Sequence, residues 1–345
     1  MENMGTNKNK LKVLLVFDTP VSRPRGYNYV DEFQDEDWET ESNVYQALLE
    51  NGYDVRLLGI NNDIHPLIEE IRDDRPDVVF NLVEVFNQKA SLDKNFVGFL
   101  EMMEVPYTGS SSKTLFLCND KALHKKILRF HRIRVPRFHT FYRQHRVWLP
   151  KKLRLPLVVK PLADEASRGI SQASVVDNSD SLAERVRFIH EKMQMDAIAE
   201  EYIPGRELYV SIFGNKRIRV LPFREMKFGN YLEEDEPRIA TYKAKWDKKY
   251  REKWGLKNVF CGKLANGVQE ELEDICKRAY HALNMQSYAR FDVRVTQNGR
   301  TFIIEANANP NLAKNDEIAQ SAEKAGIPFD KLVNKIVLLA LKRRH

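Results

Sequence analysis

The stretch Arg290–Leu312, RFDVRVTQNGRTFIIEANANPNL, decides how the rest of the chain is read. It predicts two strands, Ser287–Val295 and Arg300–Glu305, around the turn Gln297-Asn298-Gly299. Asn-Gly between apolar-rich runs is the strongest short hairpin signal. Side chains two apart on a strand share a face. Arg290 and Asp292 are therefore expected on one face, and Ile303 and Glu305 together on the next strand, with Asn307 immediately beyond. Ala289, Phe291, Val293, Ile304 and Ala306 are expected on the other face. The hairpin would bring Asp292, Glu305 and Asn307 together. Two carboxylates and an amide oxygen are hard ligands that suit Mg²⁺ holding phosphate oxygens. An arginine beside them suits a developing anion. A surface hairpin with an Arg290–Asp292 salt bridge is the plainer alternative. The gathering of polar groups on one face of an apolar-rich strand pair favours the metal.

Outward from this hairpin, the first hundred residues alternate strand and helix. Strands are expected at Lys12–Phe17, Val55–Leu58 and Asp77–Leu82, and helices at Trp38–Asn51, Ile64–Asp73 and Phe96–Met103. That alternation predicts a parallel sheet with helical crossovers, an α/β class. After Pro106 the texture changes. Leu115–Phe130 reads as one helix, with Asp120 as a cap or first-turn acid. The short strands Leu157–Lys160, Gly169–Val176, Ala197–Glu200, Glu207–Phe213 and Ile218–Leu221 suggest an antiparallel, α+β part, interrupted by a helix over Ser181–Glu191. Phe228–Leu256 is charged and aperiodic and reads as a mobile loop or lid. Helices are expected over Glu270–Leu283, Asp316–Ala325 and Asp330–Lys342. The expected organisation is a disordered lead over 1–10, an N-terminal α/β domain over 11–108, a central lobe over 109–205, and a larger C-terminal lobe over 206–345 with its mobile loop 228–256.

Composition narrows the partners. The 345 residues are 43% hydrophobic and 30% charged, ordinary for a folded cytosolic protein. No apolar run reaches the length of a membrane span, and Met1–Lys10 lacks the apolar core of a signal segment. Cys118, Cys261 and Cys276 have no CxxC spacing, which argues against a disulfide framework or zinc site and for a reducing, cytoplasmic location. A formal charge of +6 suits a cleft for anions such as nucleotide phosphates. The basic clusters are too scattered to require nucleic acid.

Three segments together resemble the ATP-grasp superfamily, and within it the D-alanine–D-alanine ligases, over roughly Leu11 to Leu341. They are Pro106–Lys121 (PYTGSSSKTLFLCNDK), Pro156–Ser171 (PLVVKPLADEASRGIS) and Arg290–Asn311. The resemblance implies an ATP-grasp fold with ATP between the central and C-terminal lobes. It implies that Lys121 and Lys160 contact ATP phosphates, Lys160 also reaching toward adenine. A loop at Ala166–Gly169, including Ser167 and Gly169, would cover the phosphates. The segment Glu200–Ile203 would receive adenine, and Glu207 the ribose hydroxyls. Lys245, with Lys243 as rival, would reach the γ-phosphate. Asp292, Glu305 and Asn307 would hold Mg²⁺, two ions, with Mn²⁺ able to substitute. Arg290, with a backbone N–H near Asn311, would stabilise the tetrahedral oxyanion.

The activity implied is an ATP-dependent carboxylate–amine ligase working through an acyl-phosphate on amino acids or peptides, with homodimerisation through the N-terminal lobe a trait of the superfamily. The substrate pockets depart from the family. Asp31–Glu41 (DEFQDEDWETE) offers Asp35 and Glu39 for a substrate ammonium, Glu84 stands where the family has histidine, and Lys314 follows Pro310-Asn311 where the family has Pro-Gly and a serine. D-alanine dipeptide synthesis is therefore not expected. A ligase acting on a peptide or protein terminus is one alternative, and an ATP-binding regulatory protein without ligase activity is another.

Overall fold

The computed structural model describes residues 10–163, 169–229, 238–241, 244 and 247–343, and the chain divides into two compact units, Met1–Ser112 with Asn311–His345, and Lys113–Pro310. In the first unit, β1 (Lys12–Asp18), β2 (Asp54–Ile60) and β3 (Val78–Leu82) form a parallel sheet in the order β2-β1-β3. Val13–Phe17 is buried throughout, which is why this strand reads as a continuous apolar run. Helix α1 (Glu39–Glu50) stops at Gly52, whose φ of 78° is the left-handed conformation that closes helices. Helix α2 (His65–Asp73) supplies the other crossover, and α3 (Asp93–Met102) follows β3 and leads to an isolated parallel bridge of Tyr107 with Val79. The chain's last helix, Phe329–Leu341, packs on α1 and β3 through Leu332, Val333, Ile336 and Val337, all fully buried. Each such side chain contributes about 1.5–3 kcal/mol of burial. The segment from Asn311 onward thus joins the N-terminal unit rather than continuing the C-terminal lobe expected over 206–345.

The second unit holds two antiparallel sheets. The expected single helix Leu115–Phe130 is two, α4 (Ser112–Asn119) and α5 (Lys121–Phe130). Asp120 breaks it, because its carboxylate caps the second helix by accepting from Ala122 N and Leu123 N. Strands β4 (Phe138–Phe141), β5 (Leu157–Pro161), β6 (Val175–Val176) and β7 (Ala197–Glu201) form one sheet in the order β4-β7-β5-β6. Helix α6 (Ser179–Lys192) buries Leu182, Val186 and Ile189 against it. Of the strand expected over Gly169–Val176, only the last two residues pair, after a short helical turn at Gln172–Ser174.

The second sheet contains β8 (Arg206–Gly214), β9 (Ile218–Val220), β10 (Arg224–Lys227), β11 (Lys257–Phe260), β12 (Tyr288–Val295) and β13 (Thr301–Asn307). Its order is β11-β10-β8-β12-β13, with β9 beside β8. Within the expected loop 228–256, the short helix α7 (Lys248–Lys253) starts at Asp247, whose side chain accepts from Tyr250 N. Helix α8 (Val268–Ala282) buries Leu272, Cys276, Ala279 and Tyr280. Among the described residues no helix is long and apolar enough to cross a membrane.

Candidate active site

Strands β12 and β13 pair antiparallel, and their register sets Arg290 opposite Asn307 and Asp292 opposite Glu305. Directly opposed side chains on one face lie within contact distance. The turn closes with Thr296 N donating to Arg300 O and Gly299 N to Thr296 O, with Gly299 at φ 77°. Between Asp292 and Val293 the register shifts, so that Val293 pairs with Ile303 and Ile304 is the extra residue of a β-bulge. The bulge corrects the expected alternation. Ile303 falls on the buried core side opposite Val293, away from Glu305, and Ile304 lines the same cavity as Asp292 and Glu305.

The Arg290–Asp292 ion pair is present, with Arg290 Nε 2.7 Å from Asp292 Oδ1, yet the Asp292 side chain is only 2% exposed. It is therefore not a plain surface bridge. Asn307 Nδ2 also donates to Asp292 Oδ1, at 3.2 Å. Glu305 lies 3.6 Å from Lys121 Nζ. Arg290 also covers the Tyr209 ring. On the same sheet face Arg294 stands opposite Glu207, and their charged ends are 2.7 Å apart with both side chains buried.

A second group of charges faces this hairpin within the same unit. Lys160 on β5 and Glu200 on β7 are diagonal neighbours, since Val158 pairs directly with Glu200. Lys160 Nζ lies 3.1 Å from Glu200 Oε2, and Lys125 Nζ 3.0 Å from Glu200 Oε1. Lys125 is wholly buried and donates to the Ile304 carbonyl at 2.6 Å, the carbonyl of the bulge residue. Lys121 and Lys125 are four apart on α5 and so share a face. Burial works to raise the Glu200 carboxyl, but the two ammonium groups overcome it and hold it below its ordinary value. Burial, the dominant influence, pulls Lys125 down to about 8 despite Glu200. It pulls on Lys160 as well, yet Glu200 and Glu305 keep that ammonium above the usual lysine value. His124, buried and beside Lys125, is pushed well below its normal value and is neutral.

Lys160, Glu200, Ile203, Glu207, Asp292 and Glu305 thus line one cavity, with Ile170, Ile239 and Ile304 as apolar walls. Lys121 reaches its edge through Glu305. A far larger concavity in this unit, about 1800 Å³, shares Glu201–Ile203 and Glu207 with this cavity but none of the metal-type ligands, so its size does not mark the chemistry. Among the described residues no cluster of three or more His, Cys, Asp or Glu gathers as a metal cage. Asp292 and Glu305 instead supply two opposed carboxylates with Asn307 beside them. That donor set fits Mg²⁺, which keeps most of its positions for water and phosphate. Gly169 is held with φ 68°, and Arg185 donates to its carbonyl. Ser167, Lys243 and Lys245 lie outside the described residues.

In the other unit, Asp35 is committed to local structure, its side chain accepting from Asp37 N. Glu39 accepts from the Asn315 amide at 2.9 Å, and Asn311 accepts from Thr40 Oγ1 at 2.8 Å. Lys314 N donates to Asn43, and its ammonium covers the Phe329 ring. Glu84 is exposed and its N–H donates to Asp18. Sequence reasoning passed over Asp18 and Glu41. Burial raises both carboxyls, Glu41 to about 7. It also passed over Lys125 and Arg294. The i, i+4 spacing from Lys121 and the i, i+2 spacing from Asp292 were the available signals.

The family profile described as D-ala D-ala ligase C-terminus matches residues 127–338. An uncharacterised protein, y4sG, of Sinorhizobium fredii is 30% identical over 305 residues, covering 87% of each chain. D-alanine–D-alanine ligase A of Bacillus cereus is 27% identical over 308 residues, covering 89% of this chain and 93% of its own. The crystal structure of D-alanine–D-alanine ligase from Bacillus anthracis, complexed with ATP, superposes with a TM-score of 0.73 at 23% identity, over 96% of this chain and 98% of that one. The fold is accordingly the expected ATP-grasp fold, with its parallel and antiparallel sheets. A profile that spans more than half the chain and a 30% identical relative aligned along most of it lead to one conclusion, that the chain belongs to the D-alanine–D-alanine ligase family.

Proposed function

We propose that this protein is an ATP-dependent carboxylate–amine ligase that forms an amide bond through an acyl-phosphate. What carries the reading is the register that sets Asp292 opposite Glu305 and Arg290 opposite Asn307. In support, a relative of the same fold was crystallised with ATP. Asp292, Glu305 and Asn307 would hold Mg²⁺, which would offset the charge of the phosphates. Lys121 and Lys160 orient the phosphates. The Glu200–Ile203 segment receives the adenine edge, Ile203 and Ile304 pack on the base, and Glu207 takes the ribose hydroxyls. The donor carboxylate oxygen attacks the γ-phosphorus and ADP leaves. The amine nitrogen then attacks the acyl carbon, phosphate departs, and the nitrogen loses a proton. Arg290 stabilises the oxyanion formed in that step, where one such donor contributes about 3–4 kcal/mol. The substrates are read as amino acids or peptides other than a D-alanine pair.

The test is ADP release from Mg-ATP with pooled amino acids, amines and peptides, followed by mass spectrometry. A product with the summed mass of two pool members less one water is expected. Asp292→Asn and Glu305→Gln should lose turnover while keeping the native circular dichroism spectrum. Near-normal rates in either variant would overturn the metal assignment, and no ADP from any pool would overturn the ligase reading.

A further inference from the structure

Beside the ligase cavity lies a second, strongly basic cleft. The cleft of about 1800 Å³ in the second unit is lined by eight arginines and one lysine against three glutamates. That is a formal surplus of +6 within one cleft. The local sequence explains the concentration. In Arg132–Arg137 (RIRVPR), Ile133 and Val135 turn inward and are buried, which leaves Arg132, Arg134 and Arg137 exposed. This segment runs beside β13, with Ile303 N donating to Arg134 O, so its backbone is fixed. Arg129, at the end of α5, and Arg154 extend the same wall.

The three glutamates neutralise only one of the lining arginines, Arg206. Glu225 is taken by Arg206 at 2.8 Å, Glu207 by the buried Arg294, and Glu201 accepts the Arg154 backbone N–H. Arg134 pairs with Glu271. Arg129, Arg132, Arg137 and Arg154 make no ion pair among the described residues.

We propose that the arginine wall of this cleft, which adjoins the ATP cavity along Glu201–Ile203 and Glu207 but holds none of the metal ligands, is a docking site for an acidic peptide. Guanidinium forks bind carboxylates in bidentate pairs, and arginine outnumbers lysine here eight to one. The volume exceeds the roughly 300–1,000 Å³ of ordinary small-molecule sites, so the occupant is an extended chain. Single-stranded nucleic acid would need bare aromatic faces for stacking. Of the three aromatic rings in this cleft, Tyr202 and Phe302 are already covered by Arg294 and Arg300, which leaves Phe228 alone and gives no row of faces on which successive bases could stack. A low-dielectric cleft of one sign focuses its field and raises the local concentration of opposite charge.

The experiment is a fluorescence anisotropy titration of the full chain with labelled oligoglutamate. Oligoglutamine and oligothymidylate are titrated in parallel, at low and raised salt. The variant combines R129Q, R132Q, R137Q and R154Q, all exposed and outside the ligase cavity. Oligoglutamate should bind, weaken with salt, and lose about tenfold or more in affinity in the variant. The variant should melt at the wild-type temperature and bind Mg-ATP unchanged. Equal affinity in wild type and variant, no binding of oligoglutamate, or oligothymidylate binding as tightly as oligoglutamate would each overturn the proposal. Binding is read without turnover, so the outcome does not depend on the ligase reading.

Discussion

Replacing Lys125 by methionine tests the charge arrangement at the heart of the second unit. Lys125 is fully buried, and its ammonium touches Glu200 Oε1 at 3.0 Å and the Ile304 carbonyl at 2.6 Å. Methionine matches its stem but leaves Glu200 with Lys160 alone and strips the bulge carbonyl of this donor. Removing one partner of a buried ion pair costs about 3–5 kcal/mol. Lys160, 3.1 Å from the other oxygen, still answers part of the Glu200 charge, which places the loss near the lower end, about 3 kcal/mol. For a unit of about 200 residues, 1 kcal/mol moves the melting temperature by about 2–4 °C, so a fall of about 6–12 °C is expected by calorimetry. Adding Glu200→Gln to Lys125→Met removes the uncompensated carboxylate and should restore part of the loss. The single variant Glu200→Gln, which strands two buried ammonium groups, should be less stable than wild type. A shift below about 2 °C for Lys125→Met, or no recovery in the double variant, would refute the claim that Lys125 and Glu200 compensate each other.

Two further outcomes follow from single sites. Burial holds the Glu41 carboxyl at about 7 against 4.5 for a free side chain, so the folded chain keeps a proton that the unfolded chain releases. Its stabilisation is therefore complete below about pH 4.5 and is lost as pH rises toward 7. Glu41→Gln should flatten that decline and raise stability at pH 8 by about 1 kcal/mol, while Asp18, also raised by burial, leaves a residual slope, and an unchanged pH profile of the melting temperature would contradict this. Gly205 sits at φ 134°, where an added Cβ would press on the Val295 carbonyl and lie 2.9 Å from Thr296 Cα. Gly205→Ala should cost about 2–4 kcal/mol in chemical denaturation, and a neutral result would mean that this connection between β7 and β8 relaxes freely.

The α/β alternation of the first hundred residues, the hairpin around Asn298-Gly299 and the pairing of Asp292 with Glu305 are legible in the residues alone. Each rests on information within a dozen or so residues: apolar period, turn chemistry and a two-strand register. Even the cap at Asp120 was present locally, although the helix it interrupts reads as one. The rest comes from long-range packing. The bulge at Ile304 depends on how β12 and β13 pair, and one extra residue moves Ile303 to the core and Ile304 to the cavity. Glu200 meets Lys125 and Lys160 only because a helix and two strands converge, and no local pattern encodes their burial. Arginines scattered from position 129 to 300 become one cleft for the same reason. The return of Asn311–Leu341 to the first unit is likewise set by packing on α1 and β3. Local sequence fixes which face of an element is apolar. Which distant face covers it is settled only when long-range contacts offset the entropy of closing the chain between them.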